Sequence, residues 1–283
     1  MSDAPGVRRL TPQMRRALIA SVAVLFVLGV NLILAPGDTA RYFSWPIEPA
    51  LTASVMAANY ATAIVILVLA VRGWVWAPVR VVLPGGIAFS ALVTLATFLH
   101  LDKFSFGSEE AFAGVIAWVW LVAYLILPPL LVAFWPAQIR APGEDPAPVP
   151  PARWLTSAVL AIGAVFLATG LGLYLVPDRV AEVWPWGLTP LTGRVLGAWA
   201  LGLGLVFALG GRSRDRMRMR APVVGLVVFA ALQGLALARN GSDADGVALG
   251  VWVTALAAIG AVGAAGIGQV WSADPARGGV IDS

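Results

Sequence analysis

Residues 183–194 read VWPWGLTPLTGR, and residues 43–52 read FSWPIEPALT. Each stretch sets an aromatic residue and a Trp-Pro turn ahead of a second Pro, a Thr and a long apolar run. Proline fixes φ and blocks helix continuation, so Pro46 and Pro185 mark turns. Pro49 and Pro190 then fall near a first helical position, with Glu48 and Thr189 as candidate N-caps. The Trp ring favours the headgroup depth of a bilayer, because it pairs an apolar body with an N–H donor. Trp45 and Trp186 therefore read as interfacial anchors on one face of a membrane, with contacts to a ligand or partner as the alternative.

The two stretches belong to a longer correspondence. A shift of 141 residues lays Pro36 on Pro177, Ala40 on Ala181, Trp45 on Trp186 and Pro49 on Pro190. Phe43 then faces Trp184, and Thr52 meets Thr192 after a one-residue gap. Further on the offset shrinks, so that ATFLH (96–100) lies over LALAR (235–239), Trp118 over Trp252 and Trp135 over Trp271. The chain reads as a tandem duplication whose length differences fall in loops. The two halves are joined by PAQIRAPGEDPAPVPPAR (136–153), a Pro-rich stretch that predicts an extended linker.

Composition says what solvent the halves require. Of the 283 residues, 59% are hydrophobic and 12% charged, about half the charged share of a soluble domain. Mean hydropathy is +0.85. Such a chain cannot cover a water-facing surface. It has no cysteine, which excludes disulfides, thiolate metal sites and thiol nucleophiles. A spanning helix needs about 20 mainly apolar residues. Eight stretches qualify: 16–35, 50–71, 79–100, 111–135, 154–176, 190–210, 221–239 and 246–270. The first lacks a small-x-small cleavage pattern and reads as a retained anchor and not a signal peptide.

Charge gives the orientation. Arg8, Arg9, Arg15, Arg16, Arg72, Arg80, Arg140, Arg153, the GRSRDRMRMR run and Arg277 put 14 of the 19 basic residues on one side. The opposite loops carry Asp38, Glu48, Asp102, Glu109, Glu110, Asp178, Glu182, Asp243 and Asp245. The positive-inside rule puts both termini in the cytoplasm of a bacterial cell, with the protein in the plasma membrane. The basic run is read as a juxtamembrane topology signal, so no nucleic-acid partner is expected. Even numbers of spans in each half make the repeat parallel, with a pseudo-two-fold axis along the membrane normal.

The expected fold is all-α and polytopic, eight transmembrane helices as two parallel four-helix repeats. Its parts are a cytoplasmic tail over 1–15, repeats over 16–135 and 154–271 joined by the 136–153 linker, and a cytoplasmic tail over 272–283. The WPWGLTP stretch resembles that of bacterial multi-pass membrane proteins, of no known activity, in which a W-P-W-x-L-T-P-like segment leads into a Gly/Ala-rich helix. The match is weaker in FSWPIEPALT, where Glu48 stands at the Thr position.

Chemistry is sparse. No carboxylate falls in the middle of a span, which weighs against a proton-coupled transporter. The single histidine, His100, has Asp102 two residues on; it reads as an interfacial residue bonded to its neighbours, with a pH-sensitive pair as the alternative. Arg194, early in the sixth span, is expected to snorkel, to pair with an acidic loop or to meet a headgroup. Thr94 and Gln233 fall at matching positions of the two halves and form a candidate midplane polar point, either bridging helices or contacting a ligand. Gly-rich stretches in spans five, six and eight predict close helix contacts. No catalytic residue, cofactor or metal site is expected. Membrane lipids are the expected partners, with other membrane subunits as further candidates. The function so read is a non-catalytic accessory, scaffold or lipid-interacting membrane component; the alternative is a transporter or channel with a path between the repeats.

Overall fold

The structure is a computed structural model and describes residues 6–244 and 246–271. Asp245, Arg277 and the 272–283 tail lie outside the described residues. Eight long helices carry the fold: α1 (Pro12–Leu34), α3 (Ala50–Val71), α4 (Trp76–Leu99), α5 (Ala111–Ile139), α6 (Arg153–Leu175), α8 (Pro190–Ser213), α9 (Arg216–Asn240) and α10 (Gly246–Trp271). The short helices α2 (Thr39–Tyr42) and α7 (Pro177–Ala181) and 3-10 turns at Leu101–Lys103 and Gly241–Asp243 fill the connections. All eight are long and apolar enough to cross a membrane, and each overlaps a span expected from hydropathy. The chain is an integral, multi-pass membrane protein.

Helix ends follow local caps more closely than hydropathy. Thr11 accepts the Met14 N–H and Pro12 occupies the first position, so α1 starts four residues before its apolar run. Asp215 accepts the Arg218 N–H and draws the basic run into the first turn of α9. Thr189 caps α8 as expected, its hydroxyl accepting the Thr192 N–H. At the other Trp-Pro stretch the expectation fails by one position. Pro49 is itself the cap residue of α3, no side chain caps that helix, and Glu48 has no capping role.

α3, α4, α8 and α9 form the inside. α3 packs on α9 and α4 on α8; α1, α5, α6 and α10 flank them, leaning on α3, α4, α8 and α9 respectively. The most apolar window of α8 is 67% buried and that of α10 only 11%, so α10 is the helix most exposed to lipid. Glycine sets the closest approach. A Cβ on Gly170 of α6 would lie 2.8 Å from the Leu201 nitrogen and 2.9 Å from the Gly197 oxygen of α8. The expected tight pairing of the fifth and sixth spans is therefore present, whereas α10 uses Gly263 and Gly266 chiefly against α9 and α6 side chains.

The 136–153 stretch is not a free spacer. Its first residues continue α5 to Ile139. Beyond them the Arg8 N–H donates to the Glu144 carbonyl (2.9 Å) and the Glu144 N–H to the Gly6 carbonyl (3.0 Å), and the Trp76 N–H donates to the Arg8 carbonyl. Buried Gln138 accepts the Thr11 N–H at 2.8 Å and donates to the Arg9 carbonyl at 3.0 Å. Asp145 pairs with Arg80 on α4 and with Arg218 on α9. The N-terminal segment and linker thus form one strap across this face.

Candidate functional site

The loops that open the sequence reading are interior, not a lipid-facing belt. Trp45 is 2% exposed and Trp186 4%. Trp45 packs between Phe43, Phe104 and Trp120, with its ring centroid 4.9 Å from that of Trp120. Trp186 packs against Trp184 and Trp252. Its indole donates to Thr52 Oγ1 at 2.9 Å, joining the second Trp loop to the first turn of α3. Trp45 Nε1 is buried without a partner among the described residues. Hydropathy could place both rings near a membrane face; Phe43 and Trp184 are neighbours in sequence, whereas Trp120 on α5 and Trp252 on α10 come from distant helices and could not be read from spacing.

The candidate polar point separates into two. The Thr94 hydroxyl is satisfied at the α4–α5 contact by the Ser90 and Tyr124 carbonyls. Gln233, 1% exposed, lies instead at the α3–α9 contact. Its Nε2 donates to Asn59 Oδ1 at 2.9 Å and to the Val55 carbonyl at 3.3 Å. A carbonyl can only accept, so Val55 fixes which end of the amide faces α3. Gln233 Oε1 is then the other end, buried and without a partner among the described residues.

Gln233 stands in the wall of a partly open cavity of about 400 Å³ bounded by α3, α6, α8, α9, α10 and the second Trp loop. Phe166, Leu203, Phe229 and Leu256 are among its apolar lining residues; Asn59, Thr169, Gln233, Trp184 and Trp252 are those that carry polar groups. The Nε1 atoms of Trp184 and Trp252 are buried and unpartnered among the described residues. An apolar cavity with a few polar groups is the general form of a small-molecule site, and its volume falls within that range. Gln233 and Trp252 are seven and six residues from the helix ends on the Trp-loop face, hence both about 10 Å down at 1.5 Å per residue.

A smaller cavity of about 100 Å³ lies among α1, α3, α4, α5 and α8, walled in part by Phe89, Tyr124 and Trp199. Beside it Tyr60 is fully buried, its hydroxyl 3.0 Å from that of Tyr124 and its ring against Trp199.

His100 and Arg194 form a separate pair. His100 closes α4, and its Nε2 is 2.8 Å from Arg194 Nη1 on α8. A guanidinium only donates, so Nε2 accepts and the imidazole is neutral. Burial, then the Arg194 charge, holds the His100 pKa below its ordinary 6.5. Asp102 bonds Lys103 at 2.9 Å, and that ammonium keeps its carboxyl below the usual range. The alternative reading, a His100–Asp102 pair, is not what forms; His100 bonds Arg194 and Asp102 bonds Lys103. Arg194 finds an imidazole and not a loop carboxylate. No group of three or more His, Cys, Asp or Glu is placed to hold a metal ion among the described residues. Comparison with family models, curated proteins and solved structures gives no match.

Proposed function

We propose that this is a non-catalytic, lipid-interacting membrane protein whose ligand lies in the 400 Å³ cavity. The observation that carries the reading is a mainly apolar cavity of about 400 Å³ with Asn59, Thr169 and Gln233 among its lining residues. Apolar cavities of this size with few polar residues are the usual form of a small-molecule site.

The reading includes a two-repeat architecture. α1 and α6 start at 12 and 153, a shift of 141; α3 and α8 start at 50 and 190, and α4 and α9 at 76 and 216, a shift of 140 in both. The pairings α3–α9 and α4–α8 exchange under a two-fold operation that swaps the halves. The two cavities also exchange, being enclosed by corresponding helices. At the shift of 140, Tyr60 corresponds to Ala200, which lines the large cavity. The first half fills with tyrosine the volume that the second leaves to a ligand. A solute path between the halves finds less support, because Phe89 and Trp199 stack there at 3.8 Å. We place the Arg-rich strap face in the cytoplasm by its charge, in a bacterial plasma membrane.

Mass spectrometry of the protein purified in mild detergent tests the reading. A lipophilic molecule retained at about one per chain is expected. Retention of a polar solute alone would favour the transporter, and retention of neither would overturn ligand binding.

A further inference from the structure

We infer that the strap face carries a separate site, two joined clefts between α6 and α8 that bind the phosphate of an anionic phospholipid through Arg153, Arg212 and Arg214. The site is independent of whatever fills the 400 Å³ cavity.

The clefts, of about 470 and 440 Å³, share Arg214. Glycine brings their walls together. A Cβ on Gly211 of α8 would lie 3.2 Å from both the Leu160 nitrogen and the Thr156 oxygen of α6, so the end of α8 rides on the first two turns of α6. Arg212 and Arg214 follow that contact directly, and Arg153, the first residue of α6, lines one cleft together with Arg214. The strap completes that cleft with Pro150 and Pro151. It is held there by the Val149 N–H, which donates to Asp215 Oδ1 at 2.9 Å, and by the Arg216 N–H, which donates to the Val149 carbonyl at 2.8 Å.

The charge in the clefts is uncompensated. Asp215 is occupied by the Val149 and Arg218 N–H groups, and Asp145 by the Arg80 and Arg218 side chains. Among the described residues no carboxylate lines either cleft. The guanidinium groups of Arg153, Arg212 and Arg214 are exposed and have no hydrogen bond or ion pair among the described residues. Thr156 lines the cleft and is only 8% exposed. Its hydroxyl has no partner among the described residues and is not one of the fully enclosed atoms, so it is open to the cleft. Three guanidinium groups and a hydroxyl, all donors, match the acceptor oxygens of a phosphate. Arg214 itself is left-handed (φ +46°, ψ +38°) at the end of α8, a place that glycine usually takes. Its Cβ is disfavoured there; what it contributes is a charge common to both clefts.

Depth gives the source of the phosphate. Trp154, next to Arg153, is 46% exposed, and an exposed Trp at a helix end favours the headgroup layer. One cleft continues from Arg212 and Arg214 along Leu160, Ala208 and Leu209, apolar residues within the spanning lengths of α6 and α8. A phosphate on the arginines therefore has an apolar path for the chains joined to it, which a free ion does not use. Basic clefts between helices at this depth are a general mode of anionic lipid recognition.

The test measures binding of phosphatidylglycerol with a fluorescent acyl chain to the full chain in neutral detergent. Unlabelled phosphatidylglycerol, phosphatidylcholine and inorganic phosphate serve as competitors. Phosphatidylglycerol is expected to compete about ten-fold better than phosphatidylcholine and to lose that advantage at high salt. R214G should weaken phosphatidylglycerol about five-fold, the worth of one arginine at an anionic surface. Its Tm without lipid should equal or exceed that of the wild-type protein, because glycine suits the left-handed position. If R214G does not accumulate, R153Q, at an exposed position, carries the same five-fold expectation. Equal competition by the two lipids would place binding in the apolar cavity and overturn this site. Inorganic phosphate competing as strongly as the lipid would assign the arginines to a free anion and overturn the lipid. Unchanged affinity in both R214G and R153Q would overturn the assignment of residues.

Discussion

His100 and Arg194 lie 94 positions apart and meet because α4 and α8 pack together. The pair needs a neutral imidazole, which gives it a definite pH dependence. With the folded pKa held below 6.5, the unfolded chain binds the proton more readily. Stability from the pair is fully present above 6.5 and is lost as pH falls through the folded value. Thermal unfolding in detergent should therefore show a Tm that falls below pH 6.5 in the wild-type protein and is flatter in H100A. At pH 8 the substitution should cost about 1 kcal/mol, the worth of one hydrogen bond, and membrane accumulation should persist. A collapse of accumulation would show that this histidine is structural. The sequence singled out both residues but offered His100 only neighbours along the chain, Asp102 among them, because proximity along the chain was the only distance visible. Gln233 was legible for the same limited reason: a polar residue in an apolar span draws notice, whereas its partner Asn59 depends on how α3 meets α9.

Helices were the most legible level, since a run of apolar residues long enough to cross a bilayer has few other uses. The misplacements lie at helix ends, where Thr11 and Asp215 extend α1 and α9 beyond the apolar run. Which helices touch is set by glycine, and α6–α8 is the sharpest case. G170V places side-chain carbons against the α8 backbone and should cost about 1–3 kcal/mol by forcing the helices apart. Thermal unfolding should show it, whereas G250V on the lipid face of α10, where an added Cβ meets nothing within 4 Å, should leave Tm unchanged. Equal effects would mean that α6 and α8 do not meet through this glycine. The direction in which the helices cross is a separate matter. Ser213 ends α8 and Ser242 follows α9, at opposite ends of one span. Cysteines introduced at both should differ in intact cells, an impermeant thiol reagent modifying S242C alone. Modification of S213C alone would reverse the orientation inferred from arginine.

At the scale of the molecule the proposed repetition is combined with divergence. It was legible in the sequence because Pro and Trp stand out against long runs of Ala, Val, Leu and Gly. The cavity was not, because it depends on an alanine, the least distinctive residue in such a chain. Ala200 shows its consequence only when five helices surround it and Tyr60 stands at the corresponding place. This predicts reciprocal behaviour. Y60A removes a fully buried ring and the partner of the Tyr124 hydroxyl, so it should cost about 3–5 kcal/mol. It should also create an apolar volume in the first half that accepts small lipophiles. A200Y adds a ring on the side that lines the large cavity, so it should leave Tm equal to or above the wild-type value while abolishing photolabelling there by a diazirine-bearing lipid in nanodiscs. Tm and labelling measured on the same preparations separate the possibilities. Loss of labelling with Tm preserved is the signature of a filled cavity. Unfolding of A200Y would mean that the second half cannot hold what the first half holds, and that the two are not built on one plan. Full labelling in a folded A200Y would move the ligand to another site. The double variant, with tyrosine moved from the first half to the second, should shift the labelling the opposite way, to α1, α3 and α5.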